Sequence, residues 1–383
     1  METTEFLWHK GKHYIKWYRE GDAIFYFTAG VLFLASRQGV NMKKICVLFG
    51  GESNEYEVSL RSAFSVLESI DYQKYIVYKI GITRDGKWLL FNGENEEILN
   101  DTWHENRKNI PICVDFSQKS LVAGSVRISP DLALIIMHGE YGEDGRIQGL
   151  FELLHIKKLG VSASSASLCM DKHLCKLVAM SECIPVVPYV LLKRRDACYD
   201  SLISEIGEEM DVFVKPCTTG SSVGISRVRD KEELKRAIYY ALEYSDKVLI
   251  ERAIDGAECE VAVMEASNEL VVSEVGSLSY KSDFYDYETK YNSSTVKYKI
   301  PAKIPEECRN LCREYARRLF ESLGCSGLCR VDFFVTREGE VFFNEVNALP
   351  GFTSGSMFPM LFEGEGYQMM ELIDALICQA LGG

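Results

Sequence analysis

The sequence predicts an α/β protein of two or three domains, and three features carry that expectation. Its 383 residues are enough for several domains with sizeable cores. First, KKICVLFGG (43–51) is an apolar run closed by two glycines. The segment after it places Val58, Ala63, Val66, Leu67 and Ile70 at helical spacing. Strand, glycine turn and helix open an α/β unit. Second, DLALIIMHG (131–139) is almost unbroken in its apolarity, the pattern of a strand buried on both faces of a parallel sheet. Third, from about Gly160 the texture changes to short β-rich segments between helical and turn stretches, as in α+β units.

Residues 1–41 stand apart. AIFYFTAGVLFLA (23–35) is apolar but shorter than the ~20 residues a membrane-spanning helix needs. Lys10, Lys12, Lys16 and Arg19 precede it and Ala35-Ser36 follows it, the outline of a signal-like segment. The sequence starts again at Met42 with MKKICVLFGG, so the expectation is that 1–41 is an over-extended translation start. An α/β domain is then expected over 42–160, with YIVYKIGIT as its second strand and EYGEDGRIQGLFELLHI as a glycine-rich loop and helix. It lacks G-x-G-x-x-G, which weakens any dinucleotide reading.

A central unit is expected over 161–252. SSASLCMDKHLCKLVAMSECI reads as one helix with Ser162 or Ser164 as N-cap, and VPYVLL, VFVKP, GISRV and VLIERAI read as strands. A third unit, 253–383, holds a sheet from AECEVAVME onward, a hairpin and a C-terminal helix.

Composition excludes some functions. A net charge of -13 argues against nucleic-acid binding, which needs basic surface. The thirteen cysteines include no C-x-x-C pair, and Cys308/Cys312 and Cys325/Cys329 have no nearby histidines, so free thiols in a reducing cytoplasm are expected.

Two segments carry chemistry. KPCTTGSSVGIS follows the strand VFV. Gly220, Ser221, Ser222 and Gly224 offer unhindered backbone N–H groups and hydroxyls to phosphate oxygens, with Lys215 beside them. A surface hairpin tip would look the same, and the loop is not a Walker A motif. RVDFFVTREGEVFFNEVN (330–347) reads as a hairpin. With its turn centred on Glu338-Gly339, Asp332 faces Glu345 and Arg330 faces Asn347, and Phe343 shares a face with Glu345 and Asn347. Two carboxylates facing across a ladder repel unless a cation lies between them. Oxygen-only donors favour magnesium over zinc. An exposed, solvated polar face is the plainer alternative.

Taken together, GGESNEYEVSL, HGEYGEDGRIQGLFEL, MDK, VKPCTTGSSVG, FYDYETKY, CRVDFF and NEVNALPGFTSGSMFP resemble, in this order, motifs of D-alanine–D-alanine ligases. The resemblance covers 42–383. GITRDGKW and ILNDTW are similar to segments of the D-alanine–D-serine ligases of glycopeptide resistance. It implies an ATP-grasp fold, with a Rossmann-like N-terminal domain and two α+β subdomains gripping ATP. It also implies ATP and two magnesium ions (manganese may substitute) as cofactors, D-alanine as substrate, a cytoplasmic homodimer, and no nucleic-acid partner or stable membrane insertion.

The resemblance further implies residue roles. Asp332, Glu345 and Asn347 would bind magnesium. Arg330 and the backbone N–H of Gly351 would stabilise the acyl phosphate and the oxyanion. Lys172, Lys215, Ser222 and Lys290 would contact ATP phosphates, Glu251 and Ile254 adenine, and Glu258 the ribose. Glu55 would receive the first substrate's ammonium within a Glu55–Ser221–Tyr291 network that closes the segment 282–295, and His138 would lie near that substrate. Ser356 would hold the second substrate's carboxylate. The apolar Met357 beside it suits the methyl of D-alanine better than a serine hydroxyl. A nucleotide-binding protein without catalysis is the non-enzymatic alternative, which the complete set of Arg330, Asp332, Glu345, Asn347 and Lys215 disfavours.

Overall fold

The computed structural model describes residues 42–194, 210–279 and 296–382, together with the backbone of four strands between residues 4 and 37. Those four strands, Thr4–Lys10, His13–Glu20, Ala23–Thr28 and Val31–Arg37, form an antiparallel meander. The apolar run 23–35 is thus read out as two paired strands rather than a helix. Among the described residues no helix is long and apolar enough to cross a membrane.

The first α/β unit follows the periodicity of its sequence. Strand Lys43–Gly50 lies between Tyr75–Ile82 and Leu132–Ile135, parallel to both, and its residues from Ile45 onward are buried. Burial on both faces explains the unbroken apolar runs 45–49 and Leu132–Ile135. Helix Tyr56–Ser69 follows the glycine turn and buries Val58, Ala63, Val66 and Leu67. Gly50 is required at that turn: its φ is +82°, and a Cβ there would lie 2.2 Å from the Ile82 carbonyl oxygen.

A second sheet joins Tyr189–Lys193, Lys247–Arg252, Val212–Pro216 and Ser226–Val228. A third is built on Gly256–Ala266, Leu328–Thr336 and Val341–Asn347. The segment read as one helix is two, Ala163–Met170 and Lys172–Ser181. Asp171 divides them. Its backbone is extended, and its side chain accepts from the N–H groups of His173 and Leu174, capping the second helix. Ser162 caps the first. The break sets Lys172 on the first turn of a new helix.

The hairpin differs instructively from its expected register. Thr336 and Glu340 bond across a loop in which Gly339 adopts φ +86°, so the loop has three residues rather than two. Phe333 therefore faces Phe343. A bulge at Asn344 then restores the expected pairs, Asp332 with Glu345 and Arg330 with Asn347. The expectation that Phe343 shares a face with Glu345 and Asn347 is corrected: Phe343 is fully buried in the core with Phe333 and Val346. The extra residue reverses the alternation, so that Phe343 turns into the core while Glu345 and Asn347 stay opposite Asp332 and Arg330.

Candidate active site

Three sheet strands place Glu260, Asp332 and Glu345 side by side, Glu260 opposite Asp332 and Asp332 opposite Glu345. Side chains on this face do not repel one another unopposed. Arg330 donates through Nε and Nη2 to the two carboxylate oxygens of Asp332, each at 2.8 Å, and its Nε lies 2.9 Å from Glu260 Oε2. Lys172 Nζ lies 2.9 Å from Glu345 Oε2. Asn347 Nδ2 donates to Asp332 Oδ2 at 2.9 Å. Burial disfavours the Arg330 charge, but Asp332 and Glu260 more than offset this and hold its pKa well above the usual guanidinium value. Likewise burial lowers the pKa of Lys172, but Glu345 raises it by more, for a net increase.

Beside this lies a lysine-rich pole. Glu251 sits between Lys176 Nζ at 2.9 Å and Lys215 Nζ at 2.6 Å, all three buried. Burial pushes the Glu251 pKa up, but the two lysines pull it down to about 2. Lys176 is held below the ordinary lysine value by burial, against the attraction of Glu251. Lys215 Nζ also donates to Asn344 Oδ1 at 3.3 Å, linking the second sheet to the bulge of the third. One pole thus carries three carboxylates against two cations, and the other two lysines against one carboxylate.

The glycine loop joins both. Lys172 Nζ donates to the Thr219 carbonyl at 2.9 Å. Ser221 and Ser222 both adopt left-handed backbone, φ +47° and +59°. Ser221 Oγ donates to Glu55.

A cavity of about 520 Å³ opens where the three units meet. Its lining includes Glu55, His138, Ser221, Arg330, Asn347, Gly351, Ser356 and Met357. His138 Nδ1 lies 3.2 Å from Glu143 Oε1 and its Nε2 3.2 Å from Ser62 Oγ. Burial lowers the His138 pKa, but the Glu143 carboxylate outweighs it and the net shift is upward. Gly351 packs so closely on Ser356 that a Cβ there would lie 2.7 Å from its Oγ. Ser356 Oγ accepts from the Thr353 N–H at 3.2 Å at the start of helix Met357–Gly364.

The family models supply the deciding observation. The one described as the D-ala D-ala ligase N-terminus matches residues 44–161, and the one described as the D-ala D-ala ligase C-terminus matches 178–378. The chain belongs to the D-alanine–D-alanine ligase family. Among similar ligases, the D-alanine--D-alanine ligase of Acetivibrio thermocellus is 42% identical, over 88% of this chain and 95% of that protein. The vancomycin C-type resistance protein VanC1 of Enterococcus gallinarum is 39% identical, over 88% and 98%. Among solved structures, the VanG D-Ala:D-Ser ligase of Enterococcus faecalis superposes with a TM-score of 0.81 at 40% identity, covering 89% of this chain and 100% of that one. With such neighbours, the fold is the ATP-grasp fold expected from the sequence.

The ligase motifs read from the sequence converge in two places. Eight of the expected residues line the cavity. Lys172, Lys215, Glu251 and Glu345 form the charged cluster beside it, with Asp332 between the two. Glu258 lies two residues before Glu260 on the same strand, and Ile254 is half-buried in the link before that strand. Ser222 follows Ser221 in the glycine loop. The Glu251 side chain is held by its two lysines. Lys290, Tyr291 and the segment 282–295 lie outside the described residues. Sequence reading missed Glu260, Lys176, Glu143 and Ser62. Glu260 had a signal: in AECEVAV it alternates with Cys259 and Val261, which are fully buried in the core. Lys176 stands one helical turn after Lys172.

Proposed function

We propose that the protein is an ATP-dependent ligase that joins two D-alanines into D-alanyl-D-alanine for peptidoglycan synthesis. The observation that carries this reading is the cavity in which Glu55, Arg330, Gly351 and Ser356 meet, set against an acidic row and a lysine pole. Membership of the ligase family supports it. ATP supplies the phosphoryl group that turns the first D-alanine's carboxylate into an acyl phosphate, which the second D-alanine's amine then attacks with release of phosphate.

In this reading Glu55 receives the first ammonium group, and Ser221 fixes the carboxylate that does so. His138 lines the same subsite, oriented by Glu143 and Ser62. Arg330 and the Gly351 N–H face the negative charge that builds up at the reacting carbonyl, in a buried setting where such donors act strongly. Ser356 holds the second carboxylate. Lys172, Lys215, Ser222 and Lys290 hold phosphates, Ile254 and Glu251 border the adenine, and Glu258 meets the ribose.

The donor set suits magnesium. Asp332, Glu345 and Asn347 offer hard oxygen ligands, and the acidic row carries one carboxylate more than its paired cations. Among the described residues, no three His, Cys, Asp or Glu side chains are gathered as a preformed metal site. Magnesium bound there would neutralise the nucleotide phosphates, and Asp332 would share its oxygens between the ion and Arg330. A cytoplasmic homodimer completes the reading.

The similarity to VanC1 and VanG favours a second reading, a D-alanine–D-serine ligase. Met357 speaks against it. It is buried and lines the cavity beside Ser356, and an unpartnered serine hydroxyl there would cost ~1–3 kcal/mol. The test of the general reading is phosphate release from ATP and magnesium with D-alanine, and with L-alanine as control. Release that depends on the D-enantiomer supports it. No D-alanine-dependent release would contradict it.

A further inference from the structure

Among the described residues Arg330 has two carboxylate partners, and one of them, Glu260, is not an expected metal ligand. Asp332, on the same strand, grips its Nε and Nη2. Glu260 reaches it from the neighbouring strand, with Oε2 at 2.9 Å from the same Nε. Glu260 is 3% exposed, lines the cavity, and stands directly opposite Asp332. A carboxylate so deeply buried persists only where a cation compensates it, and among the described residues Arg330 lies beside it as such a cation.

We propose that Glu260 is a positioning residue for Arg330, keeping the guanidinium aimed into the cavity when the oxygens of Asp332 are drawn to a divalent cation. This rests on the ligase reading above. A carboxylate cannot give both oxygens to an arginine fork and also ligate an ion without weakening the fork. With Asp332 alone, cation binding would release Arg330 at the moment it is needed. Glu260 is placed to hold it through that change. Glu260 itself needs no contact with nucleotide or substrate, because it acts through the orientation of a side chain that is already buried. Partners that orient a site's groups in this way typically contribute about 10- to 100-fold in affinity or activity.

The experiment is a double-mutant cycle of Glu260→Gln and Arg330→Lys in the full-length protein. Three quantities are read: kcat and KM for ATP and D-alanine, nucleotide affinity by calorimetry without D-alanine, and stability of the ligand-free protein in urea. Glu260→Gln keeps the shape and removes the charge. It is expected to lower kcat by about 10- to 100-fold, with KM values and nucleotide affinity within about threefold of wild type. In the Arg330→Lys background the same change should cost far less, and the two should also couple in urea stability. Should Glu260→Gln fail to fold, Glu260→Asp keeps the charge but shortens the reach, and an intermediate loss of kcat is expected. Additive losses, unchanged kcat, or a loss confined to nucleotide affinity would overturn the assignment. A wild-type protein without D-alanine-dependent turnover would instead sink the ligase reading, while the urea coupling would still report on the pair.

Discussion

Ser221 Oγ donates a hydrogen bond to the carboxylate of Glu55, 166 positions earlier in the chain. This joins the glycine loop of the central unit to the helix entrance of the first. Both residues line the cavity, and Glu55 is buried. A bond to a charged group in such a place is worth ~1.5–3 kcal/mol. Ser221→Ala is therefore expected to raise the KM for the first D-alanine by at least tenfold, since ~1.4 kcal/mol is a factor of ten. Melting temperature should fall by about 2–4 °C, because the bond is already made without substrate. Paired with Glu55→Gln, the losses should be less than additive. Steady-state kinetics of the four proteins checks this, and full additivity would mean that the two groups act separately.

Gly139 guards the same carboxylate. Its φ is +70°, and a Cβ there would lie 2.6 Å from both Glu55 Oε2 and Ser53 Oγ. Gly139→Ala should push Glu55 out of place and raise the D-alanine KM by about tenfold or more, on the same conversion. ATP affinity should be unchanged. Equal losses for both substrates would point to a general defect of folding instead.

Glu251 gives a pH-dependent prediction. Its folded pKa of about 2 lies below the ordinary 4.5, despite burial, because Lys176 and Lys215 flank it. The depressed value means that its stabilisation is complete above about pH 4.5 and is lost as pH falls toward 2. Removing one partner of a buried pair costs ~3–5 kcal/mol. Glu251→Gln should therefore destabilise the protein by that order at pH 7, and the gap to wild type should close as pH falls below 4.5. Urea denaturation across pH measures it. A gap that stayed constant down to pH 3 would contradict the ion-pair account.

Glu345 ends the acidic row and pairs with Lys172. Glu345→Gln is expected to abolish turnover at low magnesium while leaving the fold intact, with partial recovery at high magnesium. A titration of rate against magnesium decides this. Activity within a few-fold of wild type at every concentration would show that the carboxylate holds no ion.

Much of this site was legible in the sequence because its motifs sit where strands end and loops begin. The pairing of Asp332 with Glu345 follows from alternation and a turn centred on Glu338-Gly339, yet it holds for a reason that neither supplies. The three-residue loop shifts the register by one, and the Asn344 bulge shifts it back. Nothing in VFFNEVN announces a bulge, so Phe343 was assigned to the wrong face. Asp171 shows a similar limit. An apolar period continued through it, and only its capping bonds divide the helix. Glu260 and Lys176 were missed because each is defined by a partner distant in sequence, Arg330 and Glu251. A single charged residue in an apolar run carries no mark of what will neutralise it.

The central claim is that this cavity joins D-alanine to D-alanine, and product identification by mass spectrometry tests it most directly. The protein is incubated with ATP and magnesium, first with D-alanine alone and then with equal D-alanine and D-serine. With D-alanine alone, D-alanyl-D-alanine should form in step with phosphate. In the mixture it should remain the major product, because Met357 offers D-serine's hydroxyl no partner. D-alanyl-D-serine as the dominant product would contradict the assignment of the second subsite, and no dipeptide under either condition would contradict the account as a whole.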